Sequence, residues 1–122
     1  MGLVNQLSMY RMFSSDPEKL RAFYENTLEL SVERSDENIV IFNTGTCKFG
    51  IERSDPGEDL NASCFLGISF DTDDISRAVE TLNSRGVTIT GEPTKQYWGG
   101  TLAHFEDPDE NTVTLVEYPR ET

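Results

Sequence analysis

The stretch Phe13-Ser14-Ser15-Asp16 ends an apolar run and opens a segment whose apolar residues have helical spacing. The stretch Phe70-Asp71-Thr72-Asp73 does the same 57 residues later. In both places the helical segment is followed by three short apolar stretches separated by turn residues. Unrelated hairpins around two helices are the alternative, but element order, length and capping agree between the halves. We therefore predict two copies of one strand–helix–three-strand unit, an α+β fold.

The first half is predicted to hold one helix among four strands. Ser15 is expected to cap the helix and Glu18 to complete a capping box, while Pro17 suits the first turn. The helix should end near Leu28. The predicted strands are Leu3–Phe13, Leu30–Glu33, Asn38–Asn43 and Cys47–Glu52.

The second half repeats this order. Asp73 or Asp74 is expected to cap its helix and Gly86 to end it. A tight turn over Asp107–Asn111 should join the last two strands. The predicted strands are Phe65–Thr72, Val87–Thr90, Thr101–Phe105 and Thr112–Tyr118.

The 122 residues are predicted to form a single domain of two modules. Module 1 covers about residues 3–53 and module 2 about residues 64–119. Residues 54–63 are polar, contain Asp55-Pro56-Gly57, and are predicted to be the linker. Each module is too small to bury a large core alone, which favours close association of the halves or of two chains.

The chain is strongly acidic, with 22 acidic and 10 basic residues and a net charge of −12. This balance disfavours nucleic acid and anionic membranes as partners and allows cationic ones. The first residues lack the basic and apolar regions of a signal peptide, and no stretch has the length of a membrane span. With only two cysteines, we expect a cytoplasmic protein with reduced thiols.

Short motifs in both halves point to a known family. The first half carries Asp16-Pro17 and then a helix with Phe23-Tyr24 near its end. The second carries Trp98-Gly99-Gly100, followed by Phe105-Glu106-Asp107-Pro108-Asp109. In this order and spacing they resemble the vicinal oxygen chelate superfamily, also called the glyoxalase/bleomycin resistance/dioxygenase family. Glu29 and Glu110 depart from it, because both stand where the family usually has glycine.

The resemblance implies a specific architecture and assembly. Each module would be a βαβββ unit, and the two would form a cupped eight-stranded sheet with a concave ligand cleft. Small members of the family are usually homodimers, so we expect a homodimer.

The resemblance also implies four metal-ligand positions, usually His or Glu, on the cleft side of the first and last strand of each module. Here they fall on Met9, Gly50, Gly67 and Thr114. None of these is a usual ligand for zinc, nickel or iron. The chain has one histidine, His104, so only a site shared between two chains could supply two imidazoles. We therefore expect no metal and no cofactor.

Strand alternation selects the side chains that face the cleft. They mix aromatic and aliphatic walls with a few polar groups, which is typical of a small-molecule site. The predicted ligand-binding residues are Met9, Arg11, Phe13, Gly50, Glu52, Gly67, Ser69, Trp98, His104, Thr112 and Thr114. Asp71 is also predicted to point inward, although Asp71 and Glu52 are equally consistent with solvated charges at the rim.

Other candidate groups have simpler interpretations. Asp107-x-Asp109-x-Asn111 begins like a calcium loop but lacks the required glycine, which favours a hairpin bonded to its own backbone. Cys47 and Cys64 are expected to be small buried side chains. Tyr97-Trp98 fits a core position and a ligand-stacking position equally well.

The resemblance implies two functions from different classes. The first is a metal-free protein that binds a cationic or aromatic small molecule such as an antibiotic. The alternative is a glyoxalase- or dioxygenase-like enzyme, a lyase or isomerase, with His104 as acid or base or with an atypical metal site.

Overall fold

The computed structural model describes residues 2–3, 7–54 and 65–119 of the chain. The chain divides into two compact units, Met1–Asn61 and Ala62–Thr122. Each unit has one four-stranded sheet and a helical segment, which confirms the predicted α+β fold with two βαβββ modules. Among the described residues, no helix has the length and apolarity needed to cross a bilayer. Apart from Ser54, the predicted linker lies outside the described residues.

The first unit has its sheet in the order β1-β4-β3-β2, with β1 parallel to β4 and the other pairs antiparallel. The turn between β2 and β3 is held by Asp36, whose carboxylate accepts the backbone N–H groups of Asn38 and Ile39. These two bonds hold the pKa of Asp36 below its usual value. The elements are β1 Met9–Ser14, α1 Pro17–Ala22, a π-helical turn Phe23–Thr27, β2 Ser31–Ser35, β3 Ile39–Asn43 and β4 Lys48–Arg53.

The core of this unit lies between the helix and one face of the sheet. Tyr24 is fully buried, and its ring lies 4.9 Å from that of Phe49 and 6.4 Å from that of Phe42. Leu20, one turn earlier, is also fully buried. Such spacing places both side chains on the helix face that packs against β3 and β4.

The helix cap differs from the expectation that Ser15 and Glu18 form a capping box. Asp16 is the N-cap, and its carboxylate accepts the backbone N–H of Lys19 at 3.2 Å. The reason is local, because the Ser14 hydroxyl accepts the N–H of Asp16 and delays the helix by one residue. Glu18 pairs instead with Arg53 at the end of β4.

The second unit has its sheet in the order β5-β8-β7-β6, with β5 parallel to β8. Asp74 caps its helix, and the carboxylate of Glu117 also accepts the first helical N–H, that of Ile75, at 2.8 Å. The elements are β5 Phe65–Asp71, α2 Ile75–Ser84, β6 Ile89–Lys95, β7 Thr101–Glu106 and β8 Thr112–Glu117.

The strand predicted over Val87–Thr90 is displaced along the chain to Ile89–Lys95. Val87 cannot begin it, because its N–H bonds back to the carbonyl of Leu82 and closes the end of the helix. The strand then continues through Gly91 and Pro93, with two register shifts against β7. Irregular pairing of this kind interrupts the alternation of side chains from which a strand is predicted.

The two modules differ by one residue within the helical segment. The helices begin at Pro17 and Ile75, 58 residues apart, but the left-handed residues that follow them, Glu29 and Gly86, are 57 apart. The π-helical turn in the first unit holds the extra residue, as single π turns commonly do. Asp16 therefore corresponds to Asp74 and not, as the sequence repeat indicated, to Asp73.

Replacing Glu110 by glycine is expected to raise the free energy of unfolding by about 0.5–1 kcal/mol. Glu110 has a φ of 65°, a left-handed conformation that costs an L-residue roughly 1–2 kcal/mol. Greater freedom of glycine in the unfolded chain offsets part of the gain. Thermal unfolding should show a rise of about 2–4 °C. Glu80→Gly, in the exposed middle of α2, is the control and should lower stability by about 1 kcal/mol; a fall for Glu110→Gly would contradict the argument.

Candidate functional site

The sheet face opposite α1, which we call the first open face, gathers the site residues predicted in module 1. A Cβ placed on Gly50 would lie 3.2 Å from Met9 Sδ and 3.7 Å from Arg11 Cγ, so both side chains flank this glycine. Arg11 Nη1 lies 3.4 Å from Glu52 Oε1, and its guanidinium lies over the Phe13 ring at 5.4 Å. All five residues therefore share one face, as alternation predicted.

The first open face carries two ion pairs and one further cation. Arg11 is paired with Glu52, and Lys48 Nζ lies 2.8 Å from Glu33 Oε2. Each pair is partly exposed, so it contributes little to stability. Arg34 on β2 lies opposite Ile41, in the row of Gly50, and adds a third cation to this face.

The corresponding face of the other sheet, opposite α2, is the second open face. Cross-strand pairing places Ser69, Thr114 and His104 in one row across β5, β8 and β7. His104 Nδ1 and Thr114 Oγ1 are hydrogen-bonded at 3.0 Å. Thr114 is 3% exposed, whereas His104 is half-buried. Thr112 lies two residues before Thr114 on β8, opposite Glu106.

Gly91 on β6 completes the surroundings of His104 and was not predicted from the sequence. A Cβ at this position would lie only 2.8 Å from His104 Cδ2 and 3.3 Å from His104 Cβ. The imidazole therefore lies directly against the Gly91 backbone. The sequence did not point to Gly91 because the predicted strand ended at Thr90. Gly91 therefore lay outside it and had no partner on the neighbouring strand.

Gly67 on β5 adopts a left-handed backbone with a φ of 74°. It lies in an irregular stretch where the register of β5 against β8 shifts between Phe65 and Ser69. A Cβ there would meet no atom within 4 Å, so space is available but the backbone conformation is unfavourable for other residues. A metal-ligating side chain at this position would have to bear that strain.

Trp98 lies in the turn between β6 and β7 and is 39% exposed, so it is not a core residue. Its indole lies over Gly100, and its ring is 5.8 Å from that of Tyr118. Tyr97 is fully exposed. Because β7 begins three residues before His104, the Trp98 turn lies about 10 Å along the strand from the imidazole.

The charges of the second open face are not balanced. Asp71 pairs with Val116 and Glu106 with Thr112, which places both carboxylates on the same face as His104. No Lys or Arg stands among the described face residues Ser69, Asp71, Leu102, His104, Glu106, Thr112, Thr114 and Val116. Residues 62–122 contain 11 acidic and 4 basic residues, so the surroundings are acidic too.

The residues at the metal positions do not fit the metal centre that the resemblance implies. They supply a thioether at Met9, a hydroxyl at Thr114, and no side-chain donor at Gly50 or Gly67. The place of a side chain at Gly50 is taken by Met9 and Arg11. Among the described residues, no three His, Cys, Asp or Glu side chains are grouped so that they could hold a metal ion.

Two remaining candidates have structural roles. Asp107 Oδ1 accepts the N–H groups of Asp109 and Asn111, and its Oδ2 accepts from the Asn111 amide, which confirms the self-bonded hairpin. Cys47 is half-buried and not a core residue, because it lies in the turn between β3 and β4. Cys64 lies outside the described residues.

Comparison with known proteins identifies the class. A family model for the Glyoxalase/Bleomycin resistance protein/Dioxygenase superfamily matches residues 6–115. The chain belongs to this superfamily, which confirms the resemblance seen in the sequence.

Solved structures with this fold have different described functions. A superfamily member from Sphaerobacter thermophilus DSM 20745 is 28% identical, with a TM-score of 0.79 and coverage of 95% of this chain and 99% of that one. TnmS3, an antibiotic binding protein from Streptomyces sp. CB03234, is 21% identical, with a TM-score of 0.81 and coverage of 98% and 100%. Lactoylglutathione lyase from Agrobacterium tumefaciens is 16% identical, with a TM-score of 0.75 and coverage of 93% and 94%.

Proposed function

We propose that this chain is a small-molecule-binding protein that works without a metal ion. The donor set at the four metal positions carries the proposal. Two of them are glycines, one in a left-handed backbone and one covered by Met9 and Arg11. Restoring a metal centre would therefore need changes in backbone and packing as well as in residue type. A sheet face without metal-coordinating side chains can still bind a small molecule, but it is not suited to metal catalysis.

The proposed ligand is a cationic aromatic compound, and an antibiotic is the leading candidate. The second open face carries Asp71 and Glu106 with no described basic residue, so it attracts positive charge. TnmS3, which has the same fold, is an antibiotic binding protein, and this likeness supports an antibiotic as the ligand.

Trp98 is the proposed aromatic contact. Its indole is partly exposed and rests on Gly100 and Tyr118, which hold the ring in place. A fixed indole can stack on a flat ligand or make a cation–π contact worth about 0.5–2 kcal/mol. The ligand would then extend about 10 Å along β7 from the Trp98 turn to His104, a length that suits a multi-ring compound.

An enzyme is the second candidate, and the bond between His104 and Thr114 is the observation that favours it. A half-buried imidazole held by a hydroxyl can serve as general acid or base in a lyase or isomerase. An assay for lactoylglutathione formation or breakdown, run with wild type and His104→Gln, separates the two functions. Turnover that depends on His104 would favour the enzyme over the binding protein.

A thermal-shift screen tests the binding function directly. Bleomycin and other cationic aromatic antibiotics would be added to protein kept in excess chelator. A compound at 100 times its dissociation constant adds about 2.7 kcal/mol of stability, which is a shift of several degrees. The proposal predicts such a shift with at least one compound. Stabilisation by thiol conjugates alone would contradict the proposed ligand class.

A further inference from the structure

His104, the polar centre of the second open face, lies on β7. The metal-ligand position that the family resemblance implies lies one strand away, on β8. Thr114 on β8 stands at a metal-ligand position but bonds sideways to His104 on β7, at 3.0 Å. Gly91 on β6 then supports the other edge of the imidazole. The three residues come from three neighbouring strands of one sheet, in the order β8-β7-β6.

Building on the proposed function, we propose that the His104–Thr114 pair takes the place of the metal as the polar anchor for the ligand. His104 contacts the ligand, because it lies on this face and is only half-buried. Thr114, at 3% exposure, is a positioning residue that acts through His104. The anchor offers hydrogen bonds and no chelating cation.

This anchor selects a particular ligand chemistry. A metal centre favours paired anionic oxygens, whereas an imidazole exchanges a single hydrogen bond with an amine, amide or hydroxyl. Glu106 lies two residues along β7 from His104, and Asp71 lies one row away on β5. These carboxylates favour the amine among the three groups. The ligand class is therefore an aromatic compound with an amino group placed over His104.

Gly91 is the second positioning residue. Any side chain there would stand 2.8 Å from His104 Cδ2, closer than carbon atoms can approach, so the ring would have to move. The bond to Thr114 fixes one ring nitrogen, and contact with the Gly91 backbone fixes the ring plane. Together they leave the imidazole a single orientation toward the ligand.

The first test needs no ligand, because His104 is the only histidine and gives a single imidazole signal. The side-chain nitrogen resonances of the full chain would be compared by NMR in wild type, Thr114→Val, Thr114→Ser and Gly91→Ala. We expect Thr114→Ser to keep the wild-type nitrogen shifts, and Thr114→Val and Gly91→Ala to change them. Unchanged shifts in Thr114→Val would overturn the proposed pair.

The second test uses metal-free bleomycin as the probe, followed by calorimetric titration. We expect Thr114→Val to weaken its binding by about 2- to 10-fold, the range of one hydrogen bond, with Thr114→Ser within about 2-fold of wild type. Equal binding by all three proteins would overturn the anchor while leaving the binding function intact. If bleomycin binds none of them, the same three proteins are titrated with the strongest compound of the thermal-shift screen, and failure of every compound to bind would overturn the anchor together with the proposed function.

The third test is a zinc titration. Zn²⁺ added alone to wild type should cause no saturable change in the His104 resonances at micromolar concentrations. Saturation at one Zn²⁺ per chain, with a shift of the imidazole signal, would show that a metal centre uses His104 and would overturn the anchor.

Discussion

Replacing Asp71 by lysine is expected to weaken binding of a cationic antibiotic by about 10- to 100-fold. The substitution turns attraction into repulsion on a face that has no described basic residue. The substitution changes the charge by two units, and at about 12 Å from an amine over His104 this is worth about 1.4–2.8 kcal/mol at an effective dielectric constant of about 20–40, which corresponds to this range. Calorimetric titration with the strongest compound of the screen gives the affinity directly.

Glu80→Lys is the matched control for Asp71→Lys. It makes the same change of charge on the exposed side of α2, on the opposite side of the sheet. If only the net charge of −12 mattered, the two variants would weaken binding equally. We expect Glu80→Lys to lower affinity by less than about 3-fold, with most of that loss removed by salt. Equal losses in both variants would remove Asp71 from the site.

Replacing Trp98 by alanine is expected to weaken binding by about 5- to 30-fold and to lower stability by less than about 2 kcal/mol. The first figure corresponds to the loss of roughly 1–2 kcal/mol of stacking or cation–π energy. The second follows from the exposure of the indole, which already leaves 39% of the residue in solvent. Trp98 is the only tryptophan, so its fluorescence reports binding in wild type, while calorimetry is needed for the variant.

Phe105→Ala provides the comparison for stability. Phe105 is 1% exposed, and truncation of a buried aromatic residue costs about 3–5 kcal/mol. Urea unfolding of both variants therefore shows whether Trp98 behaves as a surface residue or, like Phe105, as a core residue. A loss of 3 kcal/mol or more for Trp98→Ala, with unchanged affinity, would mean that Trp98 only supports the fold.

Most of the fold could be predicted because its signals are local. Alternation and turn residues located six of the eight strands to within two residues at each end, whereas β1 begins at Met9 and not at Leu3, and β6 is displaced to Ile89–Lys95. The exceptions have physical causes that composition does not reveal. The Ser14 hydroxyl moves the helix cap to Asp16, the π-helical turn absorbs an inserted residue, and the helix end at Val87 delays β6.

The site was predictable only where a strand is regular. On β1 and β4, alternation grouped Met9, Arg11 and Gly50 correctly. The role of Gly91 depends on cross-strand register in an irregular pair, and no sequence period encodes that register. The left-handed backbone of Gly67 is equally a property of the irregular pairing and not of the residue type alone. The homodimer and the identity of the ligand remain predictions.

The proposal that this protein binds its ligand without a metal ion is tested by comparing ligand binding in the absence and presence of metal. Protein stripped with chelator would be titrated calorimetrically with the strongest compound of the screen that does not itself chelate metal ions, in EDTA and again with added Zn²⁺ or Ni²⁺. We expect dissociation constants within about 2-fold of each other, because the residues at the four metal positions offer no usual ligand set. Binding that appears only with the metal present would contradict it.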